Sequence, residues 1–312
     1  MQADQMRQFI YAGIVGDAMG VPVEFNERDT YRITTMTGHG TWDQPRGSWS
    51  DDTSMTLALM DNLTHDGTYA DLFEKFQAYV MWGAYTPRDE TFDIGKTCAH
   101  AIRNRFINQL APTECGDPSE FANGNGALMR LAPLALVLVD ESDLKTRLQV
   151  TRDYTAMTHR HPRTILGSYL YLEFLHAMLN GQPLRTALVK VPTLVKSALK
   201  NEPAVLAEWS HYELYLTPAI TELSRSQIRS TGYVVDTFGA ALWCCAKAQS
   251  VAEAILLAVN LGGDADTVAT IAGTWAAARY PAQSIPKEWQ AALLNQTRLA
   301  DYIDPFILKF ND

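Results

Sequence analysis

Small and apolar residues recur along this chain at helical spacing, and one carboxylate recurs with them. Met6, Ile10, Gly13 and Asp17 follow steps of four, three and four, which lines them along one face of a helix. Asp17 therefore points where apolar residues point. Most segments with a clear period repeat near 3.6 and not near 2, over 53–64, 70–82, 127–139, 163–179, 187–199, 237–248, 252–261 and 267–279. The expectation is an all-α chain. A length of 312 admits one large domain or two average ones. Turn signals such as Thr86-Pro87-Arg88-Asp89, Asn180-Gly181-Gln182-Pro183 and Tyr280-Pro281 separate the helices without a long linker, repeat or low-complexity stretch, so 1–312 reads as a single domain.

Composition narrows the function classes. Lys plus Arg total 26 against 35 Asp plus Glu, a formal charge of −9, which argues against electrostatic attraction to nucleic acid or an anionic membrane. Part of that acidic excess is available as metal ligands. The start of the chain lacks a basic segment followed by an apolar one, and the apolar run 131–139 is too short to cross a bilayer, so a cytoplasmic protein is expected. Cys98, Cys115, Cys244 and Cys245 form no C-x-x-C pair and sit in no nucleophile motif, which leaves reduced structural thiols as the expectation.

The strongest local signal is Gly47-Ser48-Trp49-Ser50-Asp51-Asp52-Thr53, a polar turn that runs straight into the apolar helix Met55-Thr56-Leu57-Ala58-Leu59-Met60. A carboxylate at a helix start is favoured by the dipole, but capping needs only one. Two adjacent aspartates and a hydroxyl are hard oxygen ligands of the kind magnesium and manganese prefer. Leu261-Gly262-Gly263-Asp264-Ala265-Asp266-Thr267 repeats the construction near the other end of the chain. Asp264 and Asp266 can converge only from a turn, which Gly262-Gly263 makes easy. Together the two loops supply four carboxylates and two hydroxyls, enough for a two-ion site. Without cations, such a convergence would be costly through mutual repulsion.

Further candidates lie between. Glu24, in Val21-Pro22-Val23-Glu24-Phe25, is a carboxylate among apolar neighbours and a candidate ligand or general base. Asp17 reads more simply as a buried acid that bonds loop amides. Ala122-Asn123-Gly124-Asn125-Gly126-Ala127 can offer backbone N–H groups to an anion such as a diphosphate, or be an ordinary turn. In Thr158-His159-Arg160-His161-Pro162, no matching Cys/His pair supports zinc, and His159 is a candidate ligand contact. Phe92-Asp93-Ile94-Gly95 adds an acid that could be only a helix cap. Tyr212, Tyr215 and Tyr233 are either adenine-stacking or core aromatics.

Taken in order, Gly16-Asp17-Ala18-Met19-Gly20 with Glu24, Ser50-Asp51-Asp52, Asp93-Ile94-Gly95, Gly124-Asn125-Gly126-Ala127-Leu128-Met129-Arg130, Thr158-His159 and Gly263-Asp264-Ala265-Asp266-Thr267 resemble the ADP-ribosylglycohydrolase family. The resemblance implies a compact orthogonal bundle of helices with a central cleft holding two Mg2+ or Mn2+ ions. It implies that Ser50, Asp51, Asp52, Asp264, Asp266 and Thr267 hold the metals; Ser50 stands where the family often has threonine and keeps the hydroxyl. Glu24 would lie beside the metals, and Asp93 would be a second candidate for proton transfer. Gly124, Asn125 and Gly126 would cradle the diphosphate of ADP-ribose, with His159 nearby.

The activity so implied is metal-dependent hydrolysis of the bond between ADP-ribose and an acceptor, an ADP-ribosylated protein side chain with arginine favoured. Two other readings share these residues: a catalytically silent ADP-ribose binder, and a two-metal phosphohydrolase acting on a nucleotide diphosphate. Their products differ. Segments 38–50 and 204–233 are expected to shape the cleft rim and acceptor choice.

Overall fold

A computed structural model describes residues 1–311. Among them are fourteen α-helices and no β-sheet, only three isolated bridges. In chain order these are α1 (Ala3–Gly20), α2 (Asp51–Thr64), α3 (Tyr69–Trp82), α4 (Lys96–Phe106), α5 (Ala132–Val137), α6 (Leu144–Ala156) and α7 (Pro162–Leu179). They are followed by α8 (Leu184–Ala198), α9 (Pro203–Ala207), α10 (Val234–Lys247), α11 (Val251–Val259), α12 (Ala265–Arg279), α13 (Lys287–Ala292) and α14 (Gln296–Phe310). No helix is long and apolar enough to cross a membrane.

Helix α12 organises the rest. Every residue from Ala265 to Ala278 is buried, so it has no solvent face and serves as a core element. Its sequence is mostly Ala, Thr and Gly, which lets neighbours come close, and α1, α7, α10 and α11 all pack on it. The closest is α1. A Cβ at Gly16 would stand 2.3 Å from the carbonyl oxygen of Ala269, and one at Gly20 would stand 2.2 Å from the Cα of Asp266. From the other side, a Cβ at Gly273 would meet the Ala12 carbonyl at 2.5 Å. The two helices therefore touch backbone to backbone, a contact only glycine permits. One hydrophobic cluster continues from this crossing through α7 and α10 and out to Leu299, Ile303 and Phe306 of α14.

Local chemistry sets the helix ends. Ser50, Thr68, Asp143 and Ser250 accept backbone N–H bonds at the starts of α2, α3, α6 and α11, and Gly83 in the left-handed conformation ends α3. The single helix expected over 127–139 is instead a 3-10 turn, Leu128–Arg130, followed by the short α5. Pro133 lies in the first turn of α5, where its missing N–H costs nothing, so the chain restarts there and Arg130 turns inward. Helices α4 and α6 carry too many charges for their period to stand out, and α14 was also missed.

Gly16→Ala is expected to destabilise the fold by about 3 kcal/mol, because the added methyl meets backbone that cannot move aside. Gly95→Ala, whose Cβ meets nothing within 4 Å, is expected to stay within about 0.5 kcal/mol of the parent. Urea unfolding of both checks this; equal losses would mean that the α1–α12 contact is not tight.

Candidate functional site

The α1–α12 crossing places Asp17, which is fully buried, against the start of α2. Its carboxylate accepts the backbone N–H groups of Ser50 (3.0 and 3.1 Å) and Thr53 (3.0 Å) and the Thr53 hydroxyl (2.5 Å). These are orphan donors of a helix N-terminus, so Asp17 fastens α2 to α1 as the loop-amide reading anticipated. Asp51 and Asp52 then occupy the first turn of α2. The Asp51 carboxylate accepts the N–H of Gly95 at 3.1 Å, and Asp52 accepts the Thr267 hydroxyl at 3.1 Å, which ties the two acidic loops directly together.

On the α12 side, Gly262 and Gly263 both adopt positive φ, 77° and 71°. Their turn lets Asp264 precede the helix while Asp266 sits in its first turn. Arg28 holds this turn by donating to the carbonyls of Leu261 (2.6 Å) and Ile228 (2.5 Å), a role no sequence pattern indicated. Glu24, Asp264 and Asp266 converge, each offering a carboxylate oxygen within 4.8 Å of the others, and all three are buried. Ser50, Asp51, Asp52 and Thr267 are buried beside them.

Two loops close the margins. The Glu24 carboxylate accepts the indole N–H of Trp42 at 2.5 Å, and its carbonyl accepts the Thr41 hydroxyl at 2.6 Å, so segment 38–50 does line the acid cluster. Trp42 was missed as a site residue. Asp93 is half-buried, and the hydroxyl of Tyr79 donates to its backbone carbonyl. Asn125 donates through Nδ2 to Asp264 (2.8 Å) and to the Thr237 hydroxyl (2.9 Å), and its backbone N–H bonds the Gly232 carbonyl. His159 lies under this loop: a Cβ at Gly126 would stand 3.1 Å from its ring, and one at Gly124 3.5 Å. The buried Arg130 guanidinium donates to the Thr158 hydroxyl, which also shares a hydrogen bond with His159 Nδ1 at 2.8 Å. Nε2 is the His159 ring nitrogen nearest the glycines. Burial, with Arg130 nearby, lowers its pKa to about 3, so it is neutral. His161 instead caps α7.

The three tyrosines divide between their two readings. Tyr212 and Tyr215 are core aromatics that fill the space left by Gly167 and Gly239, and only Tyr233 reaches the cleft margin, where the Arg163 guanidinium lies 5.9 Å from its ring. Segment 204–233 thus contributes to the cleft mainly through its end, with Ser230 accepting the Asp264 N–H at 2.8 Å.

The electrostatics are those of an unneutralised acid cluster. Among the described residues, no Lys, Arg or His forms an ion pair with Glu24, Asp51, Asp52, Asp93, Asp264 or Asp266. Burial, reinforced by neighbouring carboxylates, pushes Glu24 up to about 9, Asp51 to about 7 and Asp93 to about 6, and Asp52 and Asp266 well above the usual range. One oxygen of Asp52 and one of Asp264 are buried with no hydrogen-bond partner. An oxygen-only donor set with unsatisfied lone pairs fits a hard divalent cation.

Comparison with known proteins gives the same direction. The family model described as ADP-ribosylglycohydrolase matches residues 1–311. The chain belongs to the ADP-ribosylglycohydrolase family. It is 34% identical to the ADP-ribosylarginine hydrolase Tri1 of Pseudomonas putida (strain GB-1), with 88% of this chain and 70% of that protein covered. It is 30% identical to the ADP-ribosyl-[dinitrogen reductase] glycohydrolase of Rhodospirillum rubrum, covering 89% of this chain and 86% of that one. A solved structure titled ADP-ribosylglycohydrolase-related protein complex superposes with a TM-score of 0.74 at 28% identity, over 99% of this chain and 98% of that one. Membership in the ADP-ribosylglycohydrolase family makes the chain a hydrolase of glycosyl bonds, and its acid cluster is the feature of the fold suited to that chemistry.

The raised pKa values have a consequence with a definite sign. These carboxyls hold protons in the fold that the unfolded chain has already lost above pH of about 4, so their contribution to metal-free stability is fully present below that pH and is lost as pH rises from about 4 through about 6 to 9. Cations bind the deprotonated forms. The stabilisation by Mg2+ or Mn2+ over chelator, read by urea unfolding, is therefore expected to grow from pH 5 to pH 9. A metal effect that shrinks with pH would contradict the site.

Proposed function

We propose that this chain removes ADP-ribose from arginine side chains of ADP-ribosylated proteins, with two divalent cations, Mg2+ or Mn2+, bound by the acid cluster. The observation that carries the reading is the cluster itself: carboxylates from two distant loops, joined by the Thr267–Asp52 hydrogen bond, buried together without a compensating basic residue. Such an arrangement is costly unless cations neutralise it. The arginine linkage is supported by the relative named for that activity.

In this reading Ser50, Asp51, Asp52, Asp264, Asp266 and Thr267 hold the ions. Bound divalent cations supply Lewis-acid polarisation at the ribose oxygens beside the scissile carbon. Glu24 and Asp93 flank that position and manage protons, and Asp93, near 6, is suited to exchange them around neutral pH. Gly124 and Gly126, with His159 beneath them, receive the diphosphate, while Asn125, whose N–H and amide donors are committed to Gly232, Thr237 and Asp264, shapes that loop. Asn125 also orients Asp264 through their hydrogen bond. The family match over 1–311 and one continuous core support a single domain, and four free, buried cysteines suit a reducing cytoplasm.

The test is chromatographic. Free ADP-ribose should be released from arginine-ADP-ribosylated protein with Mg2+ or Mn2+ and not with chelator; AMP as the product would instead indicate a phosphohydrolase, and no product would indicate a silent binder. Asp266→Asn should lower turnover roughly a hundredfold or more. The same substitution removes one repelling charge, so it should raise metal-free stability by about 1 kcal/mol. Retained activity, or a destabilised metal-free protein, would remove Asp266 from the metal site.

A further inference from the structure

Three aromatic rings stand beside the acid cluster and outside the hydrophobic core. Phe25 follows Glu24 and is 64% exposed, while Trp42 and Phe92 are half-buried. Phe25 and Trp42 meet edge to face with centroids 6.2 Å apart, and Trp42 and Phe92 are 5.7 Å apart, so the rings form one continuous arc. Two chain neighbours of the arc, Glu24 and Asp93, are carboxylates of the cluster. The indole N–H of Trp42 is committed to Glu24, which fixes the ring beside the acid cluster.

The arc is held in register with the acids. Phe25 adopts φ 62°, a left-handed conformation that a bulky side chain avoids, and it is kept there by bonds to the Gly262-Gly263 turn. Its N–H donates to the Gly263 carbonyl at 2.6 Å, and Gly263 N–H donates to the Asn26 carbonyl at 3.0 Å. A strained backbone that projects an aromatic ring into solvent beside buried carboxylates points to recognition and not to packing. The Gly124–Gly126 loop reaches the cluster through a different acid, by way of Asn125 and Asp264. The diphosphate cradle thus meets Asp264 while the rings meet Glu24.

We infer that Phe25, Trp42 and Phe92 form the acceptor subsite and select a guanidinium-bearing acceptor by cation–π contact, with Glu24 and Asp93 adding negative charge beside it. This inference rests on the arginine reading above. A guanidinium is planar, weakly hydrated and positively charged, and gains from ring faces and carboxylates together; a serine hydroxyl offers neither the plane nor the charge. In this assignment the rings act on acceptor specificity and do not hold ADP-ribose.

Phe25→Leu/Phe92→Leu keeps apolar bulk and removes two ring faces. Kinetics on an arginine-ADP-ribosylated peptide, with calorimetric titration of ADP-ribose in the presence of Mg2+, separate the two sides of the cleft. The double variant is expected to lose about tenfold in kcat/KM through KM, while ADP-ribose affinity moves less than twofold. Phe25→Tyr/Phe92→Tyr, which restores the faces, is expected to recover most of the loss. Unchanged KM in the Leu variant, or an equal loss of ADP-ribose affinity, overturns the acceptor subsite while leaving the arginine hydrolase intact. Failure of the parent protein itself to release ADP-ribose from the arginine-linked peptide overturns the arginine reading, and the subsite with it.

Discussion

The backbone contact between α1 and α12 is the constraint from which the site follows. Gly16 and Gly20 let α1 lie against Ala269 and Asp266 with no side chain between them. Because α1 is that close, Asp17 can collect the amides that open α2, and this sets where Asp51 and Asp52 stand. Because α12 begins at the same crossing, Asp264 and Asp266 stand opposite them. The chain leaving α1 turns through Val21–Val23 and delivers Glu24 to the same place. Three elements far apart in sequence thus share one point in space, and small residues are what allow it.

That geometry brings acids together in an interior that opposes charge. Burial and mutual repulsion push the carboxyls toward their protonated forms. The hydrogen bonds present do not satisfy all of them, since oxygens of Asp52 and Asp264 remain unpartnered. Protons or cations must supply the balance. A site of this kind trades stability of the metal-free fold for readiness to bind, and the continuous hydrophobic cluster through α7, α10 and α12 gives the fold enough stability to carry it.

What could be read from the sequence was whatever a short segment states by itself. Ser50-Asp51-Asp52 and Asp264-Ala265-Asp266-Thr267 announce themselves because acids and hydroxyls stand at the start of apolar helices, and Asp17 because it keeps helical register with Met6 and Ile10. Contacts made across the fold left no such mark. Trp42 lies in a polar stretch and becomes meaningful only once it meets Glu24; the roles of Arg28 and Arg130 show only where their guanidinium groups bond carbonyls and Thr158. The run 127–139 misled because its apolar period continues through a turn that Pro133 resets. Tyr212 and Tyr215 invited a ligand role, yet Gly167 and Gly239 had made room for them in the core.

The measurement closest to the central claim is anomalous diffraction at the manganese edge from crystals grown with Mn2+, against chelator-treated crystals. Two strong peaks bounded by Asp51 and Asp52 on one side and Asp264 and Asp266 on the other, absent after chelation, are the predicted result. Acids that stay together with no anomalous scatterer among them, or manganese found only on surface carboxylates, would contradict the account.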